Sequence, residues 1–230
     1  MIDLYGFGHL LLAGTWVTIK LAVVSLMVGL VFGLLGAAAK LSSYRVLRWL
    51  ATAYTTLIRG IPELLIVFAI YFGGSAIVMA VASWFGYDEY IEINPFMAGV
   101  VALSIAFGAY ATEVFRMAIL SIPKGQWESA QALGMTPGKT FFRIILPQVW
   151  RVALPGLGNL FQVLLKDTAL VSVVGLQDVI RQATTAISST KEPFTFYLAA
   201  AVIYLILTAI ATGSTLWMER MVNPQARYKA

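Results

Sequence analysis

The chain has 230 residues, 60% of them hydrophobic and only 12% charged, with a net charge of +5 and a mean hydropathy of +0.82. Soluble domains carry roughly 25% charge, so the composition indicates an all-α polytopic membrane protein, one domain over residues 1–230. There is no cysteine, and His9 is the only histidine. Disulfides and thiolate sites are thereby excluded, and no histidine cluster for a metal or Ser-His-Asp set for catalysis can be assembled.

A helix crosses the hydrocarbon core with about 20 mostly apolar residues. Met1 to Leu12 lacks the basic leader and small-residue cleavage site of a signal peptide. The first predicted span runs from Leu11 to Ala39, interrupted only by Lys20, with Gly29, Gly33 and Gly36 offering a small-residue face for close packing. The second, Ile61 to Trp84, is entered through the Gly60-Ile61-Pro62 break. Further spans are expected over Pro95 to about Met117, Val149 to Leu165 and Phe194 to Trp217, making about five.

Charges between the spans orient them. Lys40, Arg45 and Arg48 follow the first span, Arg116, Lys124, Lys139, Arg143 and Arg151 separate the third from the fourth, and Arg220, Arg227 and Lys229 end the chain. The opposite loops hold Arg181 and Lys191 beside Asp88, Glu89 and Glu92. Lys/Arg excess marks the cytoplasmic side, so the N-terminus is expected outside and the C-terminus inside. The basic excess is a topology signal and no nucleic-acid footprint. Trp49, Trp84, Tyr87, Tyr90, Trp150 and Trp217 lie near span ends, where aromatic residues line the bilayer interface.

The stretch between the third and fourth spans, about 121–147, is too polar for lipid. Its GMTPGKT, Gly134 to Thr140, resembles a phosphate-binding loop, but only three residues separate Gly134 from Gly138 where four are needed. The preceding residues also read as helix and not as the required strand. After a turn over Ser121 to Gln126, a short helix is predicted from Trp127 to Met135, with Glu128 in its first turn, ended by Gly134 and Pro137-Gly138. A second short helix, Lys139 to Leu146, is expected to stop at Pro147. Ala130 and Gly134 are i, i+4 neighbours and would present a nearly side-chain-free face, either for a docking protein or for ordinary packing.

Glu128-Ser129-Ala130, Gly134 three residues on, Ile144 nine further, then Leu146-Pro147 closely resembles the cytoplasmic pattern of bacterial ABC importer permeases. Its one departure is Ser129 where that pattern has a second Ala. Gly14-Thr15-Trp16-Val17-Thr18, Arg59-Gly60-Ile61-Pro62-Glu63, Gly108-Ala109-Tyr110, Glu113 to Arg116, Lys166-Asp167-Thr168, Gly175 to Ile180 and Glu192-Pro193-Phe194 extend the likeness to the polar amino-acid branch, near the Q-type subunits of basic amino-acid and opine importers. The resemblance implies a type I permease whose coupling helix rests in an ATPase subunit. It also implies two such subunits using ATP and Mg, a second permease that is a paralogue, a periplasmic substrate-binding protein, and residence in the bacterial inner membrane. No cofactor is expected on this chain. The cargo so implied is a polar, basic amino acid or an opine.

Charges inside the membrane are costly and need a reason. Arg59 and Glu63, spaced i, i+4, are either a polar lining of the transport path or a structural ion pair at a helix break. Glu113 either faces the path or pairs with Arg116, i+3. Lys166, Asp167 and Thr168 either contact the binding protein or an outer gate, or cap the fourth span. Lys20 snorkels or meets a partner. Two other classes are an ion-driven secondary transporter, which often shows repeated halves not evident in this sequence, and a membrane enzyme, for which the sequence offers no catalytic residue set.

Overall fold

The computed structural model describes residues 4–84, 86 and 93–222. Tyr87, Asp88, Glu89, Tyr90, Glu92, Arg227 and Lys229 lie outside that set. Among the described residues, five helical stretches are long and apolar enough to cross a membrane: Gly8–Leu41, Glu63–Ala80, Pro95–Leu120, Pro137–Val174 and Pro193–Val222.

Helix α1 (Gly8–Leu41) has 34 residues, about 51 Å at 1.5 Å per residue, and so outruns a hydrocarbon core about 30 Å thick. The amphipathic α2 (Arg45–Gly60) buries only Ala51 and Thr55. It ends where Ile61 and Pro62 take extended backbone, and Pro62 starts α3 (Glu63–Phe68) with Glu63 in its first turn. A π-helical turn at Ala69–Gly73 carries α3 into α4 (Gly74–Ser83).

At the centre stands α5 (Pro95–Leu120), capped by the Asn94 side chain, which accepts the Phe96 N–H at 2.8 Å. It is buried on nearly every face, and its main neighbour is α1. The glycine face read from the sequence lies at that contact. A Cβ on Gly33 would stand 2.7 Å from Ala111 Cβ, and one on Gly36 only 2.2 Å from Thr112 Oγ1. Without strong hydrophobic drive between helices in lipid, such close approach supplies the packing.

Past α5 comes a polar hairpin, α6 (Lys124–Ala132) and α7 (Pro137–Thr140). α6 starts three residues before the predicted Trp127. Pro123 caps it, and its carbonyl accepts the Gln126 N–H, so the expected turn is the first helical turn. Glu128 therefore falls in the second turn, where the helix dipole has largely faded.

The predicted stop at Pro147 is also corrected. A π-helical turn (Phe141–Ile145) follows α7, and α8 (Leu146–Asp167) continues through Pro147 and Pro155. Widening the helix before Pro147 shifts the carbonyl that its ring would otherwise strike. The fourth span is thus one helical stretch from Pro137, longer than expected. After Asp167 the helix tightens into a 3₁₀ segment (Thr168–Val174) that Gly175 ends at φ +96°.

α9 (Val179–Thr190), capped by Asp178, lies against the first turns of α1, and α10 (Pro193–Val222) closes the bundle. The main core gathers around α5. A second cluster of Leu11, Val179, Ala183, Ala186, Phe196 and Ala200 binds α9 to α1 and α10 at the end opposite the hairpin.

Candidate functional site

Two features place polar groups where a span would otherwise be apolar. The first is a cavity between α3, α5 and α8. Glu63 lines it from α3 and Asp167 from the end of α8, with Tyr110 of α5, and Leu103, Phe107 and Leu164 supply apolar surface. Its volume, about 20 Å³, is room for about one water. Glu63 reaches its position because Pro62 starts α3 there. Asp167 reaches its own because α8 ends there.

Arg59 and Glu63 do not pair directly. The i, i+4 rule holds only along one continuous helix, and the break at Ile61-Pro62 turns the two residues apart. Tyr110 joins them instead: the Arg59 guanidinium lies over its ring, 5.3 Å from the centroid, and its hydroxyl donates to Glu63 Oε1 at 3.3 Å. Tyr110 carried no assigned role in the sequence reading. Its spacing of three from Glu113 on α5 was the available signal.

The second feature is the α6–α7 hairpin. Its turn is a Schellman motif: Met135 N–H donates to Ala130 O at 3.1 Å and Gly134 N–H to Gln131 O at 2.9 Å. Gly134 sits at φ +74°, with no atom near where a Cβ would project. Its glycine answers to left-handed backbone, not to crowding. Of the small face expected at Ala130 and Gly134, for docking or for packing, Ala130 packs inward at 4% exposed while Gly134 is exposed. Trp127 lies over Phe141 with ring centroids 6.4 Å apart, above buried Thr140 and Ile145. Glu128, Ser129, Gly134 and Pro147 are exposed, as are Leu133 (82%) and Phe142 (67%), while Ile144 and Leu146 are half-buried.

Residues 29–224 match the family described as the binding-protein-dependent transport system inner membrane component. The chain belongs to that family. The permease is 47% identical over 223 residues to the nopaline transport system permease protein NocQ of Agrobacterium fabrum, covering 96% of this chain and 94% of that one. It is 45% identical to the histidine/lysine/arginine/ornithine transport system permease protein HisQ of Salmonella typhimurium, covering 94% and 95%. A crystal structure of an amino acid ABC transporter with histidines superposes with TM-score 0.81 at 34% identity, covering 96% of this chain and 99% of that one. The inward-facing MetNI methionine transporter, 20% identical with TM-score 0.71, shares the fold. The permease is therefore a multi-pass inner-membrane component of an ABC transporter complex, a transport subunit and not a catalyst. An ion-driven carrier and a membrane enzyme are both set aside.

The remaining charged residues of the permease are dispersed. Glu113 accepts from Arg116 Nε at 2.9 Å and also from Lys40 Nζ at the end of α1, a partner sequence spacing did not reveal. Lys166, Asp167 and Thr168 do not act at one place: Lys166 is exposed, Asp167 lines the cavity, and Thr168 is fully buried. Lys20 reaches back one turn over Trp16, 5.7 Å from the ring centroid.

Proposed function

We propose that the permease forms half of a channel importing a basic amino acid or an opine. A periplasmic binding protein delivers the cargo, two separate ATPase subunits drive the cycle with ATP and Mg, and a paralogous permease forms the other half. The observation that carries the cargo class is the pair of carboxylates, Glu63 and Asp167, lining one cavity with apolar walls. Among the described residues neither forms a salt bridge. Two anionic groups in a low-dielectric cavity favour a cationic guest, and Tyr110 holds Glu63 toward it. The name of one relative, the histidine/lysine/arginine/ornithine system, agrees with that charge.

The hairpin is the ATPase contact in this reading. Glu128, Ser129, Leu133, Gly134 and Phe142 form its exposed surface, while Ala130, Ile144, Ile145, Leu146 and Pro147 fix it to the fourth span. Closure of the ATPases moves the hairpin, and the continuous stretch from Pro137 to Val174 carries that movement to Asp167. The hairpin faces the cytoplasm, with the N-terminus periplasmic and the C-terminus cytoplasmic, as the basic loops require.

The test is uptake of labelled L-arginine by the assembled importer carrying Glu63→Gln or Asp167→Asn. Each should raise KM about tenfold, the loss of roughly 1.4 kcal/mol of binding, at unchanged membrane abundance. Wild-type uptake by both variants would remove these residues from the cargo site.

A further inference from the structure

Asp167 and Thr168 are consecutive, yet they serve opposite sides of the fourth span. Asp167 lines the cavity, whereas Thr168, at the first 3₁₀ residue, is buried against α10. The Thr168 hydroxyl donates to Leu165 O at 2.6 Å, so toward Tyr204, 3.4 Å away, it acts as acceptor and the phenol donates. This bond ties α10 to the last turn of α8. Thr18 on α1 separately accepts the Val179 N–H at 3.4 Å.

Thr168 stands where the helix changes type, and there a single side-chain hydrogen bond bears on which way the preceding residue, Asp167, faces.

We infer that Tyr204 is a positioning residue for Asp167, acting through Thr168: its hydroxyl holds the α8-to-3₁₀ junction so that the carboxylate enters the cavity. This rests on the reading of Asp167 as part of the cargo site, but its test does not need the cargo. The chain has no cysteine, so Asp167→Cys and Glu63→Cys each place one thiol in the lining of the cavity, on different helices. With cysteine-free partner subunits, the reaction rate of each thiol with a cationic methanethiosulfonate is measured in the assembled importer.

Tyr204→Phe should change the rate at position 167 by about threefold to tenfold, the effect of one hydrogen bond, and leave position 63 within about twofold. Thr168→Val should do the same, and the double variant should add nothing, as expected for one shared path. In the cysteine-free parent, Tyr204→Phe should raise the KM for L-arginine and leave the maximal rate unchanged. An unchanged rate at position 167 in both variants, or equal changes at both positions, overturns the proposal. If Asp167→Asn leaves L-arginine uptake untouched while the labelling result holds, the cargo-site reading fails and the positioning role stands.

Discussion

Lys40 and Glu113 join the last turn of α1 to α5 across 73 residues of sequence, and Arg116 completes the group from the other side of the carboxylate. The three are half-buried, with side-chain exposures of 11%, 21% and 32% for Lys40, Glu113 and Arg116. Removing the shared carboxylate strands two cations, while removing Lys40 leaves Glu113 with Arg116. Stranding buried charge costs about 3 kcal/mol, and losing one of two partners about 1 kcal/mol. Glu113→Gln should therefore lower the melting temperature of the detergent-solubilised importer clearly more than Lys40→Met, as read by size-exclusion after heating. Equal losses would show that the group does not share its stabilisation in this way.

The packing of α1 on α5 predicts a sharp contrast between glycines. A Cβ at Gly36 meets Thr112 Oγ1 at 2.2 Å, whereas at Gly60 nothing lies within 4 Å. Gly36→Ala should cost about 1–3 kcal/mol through overpacking and reduce the folded fraction recovered from membranes. Gly60→Ala should be recovered as wild type. The same heating assay checks both, and indistinguishable variants would mean that α1 and α5 do not approach this closely.

Spans and hairpin were legible because each rests on composition or local chemistry: apolar length for the helices, a glycine after a short polar helix for the turn. What failed to read through depends on local backbone breaks and on one partner remote in sequence. Helical spacing leaves Arg59 and Glu63 as either a path lining or an ion pair, and two residues of extended backbone between them cancel that spacing. Ala130 with Gly134 reads as a small face for docking or for ordinary packing, and only the folded hairpin decides that Ala130 is buried. Pro147 was read as a stop, and a widened turn just before it let the helix continue. Lys40 appeared only as a topology charge, because nothing near it in sequence names Glu113 as its partner.

At Gly134 the requirement is conformational, so side-chain size should matter less than tolerance of positive φ. Gly134→Ala should cost about 1 kcal/mol through left-handed backbone and lower the transport obtained per ATP hydrolysed. Gly134→Asn, which tolerates that region, should retain most of it. Measuring uptake and hydrolysis in the same vesicles gives the ratio. If Ala and Asn behave alike, backbone conformation is not why glycine stands there.

Asp178 carries the pH dependence expected outside the spans. Burial raises its pKa from 3.8 to about 6, against the lowering effect of the backbone N–H groups at the start of α9. Its side chain still caps α9, accepting the Arg181 N–H at 2.9 Å through one oxygen, while the other is buried without a partner. The folded state therefore holds this proton more tightly than the unfolded state does. Where the folded state binds more protons, stability falls as pH rises. The contribution is fully present below about pH 4 and is lost as pH climbs through about 6. Asn caps a helix as well as Asp does and cannot ionise, so Asp178→Asn should keep the cap and flatten this slope. Melting temperatures of the two forms should converge near pH 4 and separate by pH 7, with the Asn form higher. A gap that stays constant with pH would show that the Asp178 carboxyl titrates in the folded protein as it does in water.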